Sequence, residues 1–152
     1  MTIARRDIVS DGEEGVYHCV ARCVRRAFLC GVDRYLKKDY AHRKSWVKER
    51  LEFLAGFFGV EVVTYAVMSN HLHVILRSRP DLSEGWDAAE VGRRWMGLFP
   101  SRGTSQAREQ QIQALSQNTK RIFELRARLG SVSWFMRCLN EYIARKANKE
   151  DG

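Results

Sequence analysis

AVMSNHLHVIL, residues 66–76, is the stretch of sequence that decides the fold. Its two ends are apolar and rich in strand-forming residues, whereas Ser69 and Asn70 between them are typical of a tight turn. The stretch therefore predicts two antiparallel strands joined by that turn, one over residues 61–68 and the other over residues 71–77.

Two histidines occupy alternate positions in the second of these strands. Side chains i and i+2 of a strand lie on the same face, so His71 and His73 are expected to project side by side while Leu72 points into the core. Imidazole is a neutral ligand, and two of them leave positions on a divalent metal open for phosphate oxygens. The pattern alone leaves two interpretations open: a divalent metal site, or two strand histidines that hydrogen-bond to their neighbours.

The sequence before this stretch predicts one further strand and one helix. Residues 16–24, VYHCVARCV, alternate and are rich in β-formers, which favours a strand. Residues 41–58 carry an apolar stripe at helical spacing, which predicts an amphipathic helix that is terminated by Gly59. The order strand, helix, strand, turn, strand is typical of an α+β domain with a largely antiparallel sheet.

The sequence after this stretch is mainly helical. Residues 80–130 predict a short helix between the two prolines of the chain and a longer, polar helix over residues 105–129. We interpret this segment as a helical insertion on a single domain that spans residues 1–152. Residues 131–149 then predict an amphipathic helix, with Ser131 as its N-cap.

The composition of the chain indicates its cellular environment and the class of partner that it binds. The formal net charge is +8, and a basic balance of this size favours nucleic acid as a partner. The N-terminus, MTIARRD, lacks the apolar run of a signal peptide, and no run approaches the ~18 apolar residues that span a membrane. We therefore expect a cytoplasmic protein that does not contact a membrane. The four cysteines form no CxxC pair, which favours reduced, buried thiols.

Two motifs, in this order along the chain, resemble those of a known family. MSNHLHVIL is similar to the M-P-N-H-x-H-hydrophobic signature of the HUH single-tyrosine transposases, especially the REP-associated tyrosine transposases of bacteria. VYHCVARCVRRAFLC resembles the opening strand of that family, a Tyr-His-hydrophobic run followed by Arg, a short basic stretch and an aromatic residue. Ser69 replaces the usual proline, and Cys23 stands where a glycine is common. The resemblance covers residues 15–79 well and residues 131–149 loosely, while residues 80–130 have no counterpart.

The resemblance implies a fold, an activity and a cofactor. The implied fold is a ferredoxin-like α+β domain, an antiparallel sheet with packed helices, whose sheet carries the two histidines. The implied activity is cleavage and rejoining of single-stranded DNA at the foot of a hairpin, through a tyrosine that holds the 5′ end as a phosphotyrosine. Mg²⁺ or Mn²⁺ on His71 and His73 would activate the phosphate. The DNA sequence, a third metal ligand and the oligomeric state, a homodimer included, are left open.

Contacts to DNA are expected at the basic end of the first strand. The candidates are Arg22, Arg25 and Arg26, because arginine can bridge phosphates and stack on the unpaired bases of a hairpin. The alternative is that these arginines form an ordinary solvated surface.

The position of the nucleophile leaves two functions open. Of the five tyrosines, only Tyr142 follows the two histidines along the chain, yet it shares an apolar stripe with Phe135, Leu139 and Ile143, which favours a core tyrosine. In the family that the chain resembles, the nucleophile lies on a later helix, after a further strand, and this chain stops at Gly152 before either element. We therefore expect a truncated member of the family in which Tyr142 lies beyond attack distance from the histidines. The chain is then either a DNA strand-transfer enzyme or a non-catalytic module that binds hairpin DNA.

Overall fold

A three-stranded antiparallel sheet packs with one face against the helices of the structure. The computed structural model describes residues 13–22 and 30–152 of the chain. The strands are β1 (Val16–Arg22), β2 (Val32–Asp33), β3 (Lys38–Asp39), β4 (Val60–Val67) and β5 (His71–Ser78). The helices are α1 (Arg43–Ala55), α2 (Pro80–Glu84), α3 (Ala88–Leu98), α4 (Ser105–Ser116), α5 (Thr119–Leu129) and α6 (Val132–Asp151).

The two faces of the sheet differ in what covers them. β5 is the central strand and pairs antiparallel with β1 on one side and β4 on the other. Leu72, Val74 and Leu76 of β5 are buried and share one hydrophobic core with residues of α1, α3, α5 and α6. The intervening residues of β5 point the other way and are only partly buried. We call this second side the open face; on β1 and β5 it carries Val16, His18, Val20, Arg22, His71, His73, Ile75 and Arg77.

The predicted end of α1 at Gly59 is wrong. The helix ends at Ala55, and Gly56 caps it in the right-handed conformation with a φ of −72°. Gly59 is instead buried: its N–H donates to the carbonyl of Leu129 at 2.8 Å, and its carbonyl accepts from the N–H of Arg79 at 2.9 Å. A Cβ at this position would lie 3.2 Å from the Cβ of Ser83, so the position favours glycine for close packing rather than for a left-handed turn.

The segment over residues 80–130 contains four helices, α2 to α5, rather than the predicted two. The single helix expected over residues 105–129 is wrong because Asn118 begins a new one. Its side-chain oxygen accepts from the N–H of Arg121 at 3.1 Å, a cap that competes with continuation of the preceding helix. Val91 and Leu125 of this segment are fully buried in the same core as the sheet.

Helix α6 begins where the sequence predicts. Ser131 is its N-cap, and the Ser131 hydroxyl oxygen accepts from the N–H of Trp134 at 3.3 Å. Phe135 and Leu139 are fully buried, as expected for the apolar stripe. The helix packs along α1 and also contacts β1 and β5.

The described residues form a mixed α/β structure with a small antiparallel three-stranded sheet and six helices, which is compatible with the predicted α+β class, while the ferredoxin-like topology stays a prediction. The sequence interpretation missed the β2–β3 pair, in which Val32 lies opposite Asp39. Strands of two residues are too short to show a period of two, so the pattern gave no signal there. None of the helices in the described part of the chain is both long enough and apolar enough to cross a membrane.

Candidate functional site

The turn between β4 and β5 places the two motif histidines together. The N–H of Met68 donates to the carbonyl of His71 at 2.8 Å, which closes the turn over Ser69 and Asn70. The imidazoles of His71 and His73 then lie side by side on the open face, with ring centroids 4.8 Å apart. Both rings are partly exposed, because neither is covered by the helices that bury the opposite face.

A third histidine joins this pair from the neighbouring strand. His18 of β1 lies diagonally across from His73, and its Nε2 is 2.8 Å from Nδ1 of His73. The two rings are stacked, with centroids 5.0 Å apart and planes at 26°. Sequence reasoning placed His18 on one face of its strand but did not connect it to the pair, because the register of β1 against β5 is not visible in the sequence.

The hydrogen bonds of this cluster leave one nitrogen of each motif histidine free. His71 Nδ1 donates to the side-chain oxygen of Asn70 at 2.7 Å, and His73 Nδ1 is engaged by His18. In the described part of the chain, neither Nε2 takes part in a hydrogen bond. With Nδ1 carrying the proton, the Nε2 lone pair of each ring is available to a ligand on the solvent side.

The sheet also places one of the predicted arginines beside the histidines. Arg22 lies directly opposite His71 in the β1–β5 register and is exposed. Arg25 and Arg26 lie outside the described residues. Arg77 is on the same face, but it is paired with Glu14 and with Glu61, so its charge is already compensated.

Tyr142 does not lie on the open face. It belongs to the helical layer, where it is partly buried against the hydrophobic core. Arg50 of α1 stacks on its ring with the guanidinium carbon 4.4 Å from the centroid, and Lys146 donates to its hydroxyl at 3.5 Å. Tyr142 thus packs with the helices against the core, whereas the imidazoles of His71 and His73 lie on the open face.

The two imidazoles are the donors that the described residues offer to a metal. Across residues 13–22 and 30–152, no group of three or more His, Cys, Asp or Glu side chains is arranged to hold an ion. Two imidazole nitrogens are fewer donors than a complete metal site needs, so phosphate or water oxygens would have to complete the coordination of a divalent ion. Cys19, Cys30 and Cys138 are buried and form no disulfide, and Cys23 lies outside the described residues.

Comparison of the chain with models of known protein families, with curated proteins and with solved structures finds no match.

Proposed function

We propose that this protein binds single-stranded or hairpin DNA in the manner of an HUH single-tyrosine transposase, through a divalent metal on His71 and His73. The observation that carries the proposal is the arrangement on the open face, where both Nδ1 atoms are engaged and both Nε2 atoms are free. When bound, Mg²⁺ or Mn²⁺ would polarise a phosphodiester as a Lewis acid.

The residues around the histidines support a nucleic-acid ligand. Arg22 lies opposite His71 and, within the described residues, has no carboxylate partner, so its charge is available to a phosphate. Ala66, which has a small side chain, lies opposite His73 on β4. The net charge of +8 supports a polyanion as the ligand.

Strand cleavage through a phosphotyrosine is the second part of what the resemblance implies. A nucleophilic hydroxyl must come within ~3–3.5 Å of the reacting phosphorus. Tyr142 is on the far side of the sheet, so we propose DNA binding rather than cleavage as the activity of this chain with its own residues.

The metal is tested first, by calorimetry with Mn²⁺. We expect the wild type to bind, and the double variant His71→Ala/His73→Ala to show no measurable binding at this site, because both proposed ligands are removed. His42→Gln is the matched control, since it removes an imidazole that contacts Glu150 on another surface. Equal binding of Mn²⁺ by the wild type and the double variant would contradict the proposal.

The DNA is tested with a labelled hairpin that has a single-stranded foot. Mn²⁺ should tighten binding by the wild type and have no effect on the double histidine variant. Arg22→Gln should reduce the dependence of log affinity on log salt by about 0.7–0.9, the value for one lost phosphate contact. An unchanged salt dependence would remove Arg22 from the interface, and absence of hairpin binding by the wild type would overturn the proposed function.

A further inference from the structure

A second basic surface lies on the helical side of the molecule, away from the open face. It is a groove of about 340 Å³ between α1, the end of α3 and the C-terminal half of α6. We call it the basic groove; its lining includes Arg50, Phe99, Tyr142, Arg145, Lys146 and Lys149.

The residues of α6 in this groove form a single stripe. Tyr142, Arg145, Lys146 and Lys149 follow one another at positions i, i+3, i+4 and i+7, which places them on one side of a helix. Charge repulsion between cations so close together costs free energy in the absence of an anion. The one carboxylate that lines the groove, Glu141, is 3.1 Å from Arg137 and 4.0 Å from Arg145. The groove therefore carries an excess of positive charge that its own residues leave uncompensated.

Arg50, at the inner wall of the groove, also carries a positive charge that is not compensated. Its guanidinium carbon lies 4.7 Å from the centroid of the Phe53 ring and 4.4 Å from that of Tyr142, so two aromatic rings flank it. Its Nε is buried without a hydrogen-bond partner, and within the described residues no carboxylate pairs with it. Burial lowers the pKa of this guanidinium from its ordinary value. A desolvated cation that lacks a counter-ion is stabilised by an anion that enters the groove.

The aromatic edge of the groove indicates what kind of anion fits. Phe99 is 43% exposed, although its ring also stacks on Trp95 with centroids 4.6 Å apart. Exposed aromatic rings beside a row of cations are typical of surfaces that bind single-stranded nucleic acid, in which bases stack and phosphates follow the cations.

We infer that the basic groove binds single-stranded nucleic acid, with backbone phosphates on Arg50, Lys146 and Lys149 and a base against Phe99. This site is separate from the histidine site, because the two lie on opposite sides of the sheet. It does not depend on the proposed function, and neither site requires the other.

The experiment measures binding at the basic groove without a contribution from the histidine site. Binding of a fluorescent oligothymidylate of about 12 nucleotides is measured in the His71→Ala/His73→Ala background with a chelator present. In that background Lys146→Gln/Lys149→Gln should lower the affinity about tenfold at low salt and reduce the salt slope by about 1.4, the value for two contacts. Phe99→Leu should weaken binding about fivefold, through the lost stacking.

A matched variant distinguishes the effect of losing the groove lysines from the effect of lowering the net charge. Arg108→Gln/Lys120→Gln removes the same charge from exposed positions on α4 and α5, and we expect it to retain wild-type affinity. The oligonucleotide should also protect Lys146 and Lys149, but not Lys120, from acetylation. An equal loss of affinity in the two double variants would overturn the inference, and so would an absence of protection. A mononucleotide or inorganic phosphate that binds as tightly as the oligonucleotide would show a phosphate pocket and overturn strand binding.

Discussion

At the scale of single residues, the decisive feature is the way in which His18 and Asn70 engage the two motif histidines. Ligand histidines in metal sites almost always donate their second ring nitrogen to a neighbour, which fixes the tautomer and the orientation of the ring. His73 has such a neighbour in His18 at 2.8 Å, and His71 has one in Asn70 at 2.7 Å. His18 is therefore a positioning residue for His73 if the proposed metal site exists.

His18→Phe tests that role. We expect the variant to bind Mn²⁺ about 10- to 100-fold more weakly than the wild type, because phenylalanine keeps the stacked ring but removes the hydrogen-bond partner of His73 Nδ1. His18→Gln should recover part of the loss, since its amide oxygen can accept the same hydrogen bond. Calorimetry of the three proteins gives the affinities, and a His18→Phe variant with wild-type affinity would show that His18 only packs.

At the scale of elements, the end of α6 is fixed to the beginning of α1 by a small ionic cluster. Arg43 is 1% exposed, and its guanidinium donates to Glu150 at 3.1 Å and to Asp151 at 2.6 Å. His42 donates to Glu150 as well, at 2.7 Å. Because Tyr142 and the lysines of the basic groove lie on the same helix, this cluster also holds the wall of the groove in place.

The pKa of Glu150 makes this contact sensitive to pH. Burial alone raises the pKa of its carboxyl, but the hydrogen bonds from His42 and Arg43 outweigh burial and hold that pKa below the ordinary value. A carboxyl whose pKa is lower in the folded state stabilises the fold fully above the unfolded pKa of about 4.3. The stabilisation is lost as the pH falls below that value toward the pKa of the folded state.

Glu150→Gln should therefore be less stable than the wild type at pH 7, by an amount that shrinks as the pH is lowered below about 4. Urea unfolding monitored by circular dichroism between pH 3 and pH 7 measures the difference in free energy of unfolding. Glu49→Gln is the control, because Glu49 is exposed on α1 and forms no ion pair within the described residues. A difference between Glu150→Gln and the wild type that does not vary with pH would contradict the assignment.

At the scale of the whole molecule, the two sides of the sheet carry different candidate functional residues. Imidazoles and Arg22 lie on the open face, whereas Tyr142 and the basic groove lie among the helices. We expect that a tyrosine on the helical side does not reach a phosphate on the open face, because Phe135 and Leu139 of the same helix are fully buried in the core.

We therefore expect no covalent adduct when this chain is incubated with labelled hairpin DNA and Mn²⁺ and then separated on a denaturing gel. Tyr142→Phe should bind the hairpin through the histidine site as the wild type does, because the tyrosine is remote from that site. An adduct that forms with the wild type and disappears in Tyr142→Phe would overturn both the geometry and the expectation.

Local sequence was sufficient for the three strands of the sheet, for the start of α6 and for the placement of the two motif histidines on one face, but not for β2, β3 or the division of residues 80–130 into four helices. A period of two in residues 71–77 and a helical period in α1 each reflect burial of one side of an element, so they can be read without a structure. Ser131 was correctly predicted as an N-cap because a cap depends on residues within one turn. The break at Asn118 also has a local cause, but the continuing apolar stripe concealed it.

Tertiary structure alone decided which of these residues meet. His18 and His73 are 55 positions apart, and only the register of β1 against β5 brings their nitrogens to 2.8 Å. Arg50 and Tyr142 likewise meet only because α1 packs along α6. The sequence by itself determined which side chains share a face of each element, because that depends on local backbone geometry. The fold determined which faces meet and which remain open, because pairing of strands and packing of helices join residues that are distant along the chain.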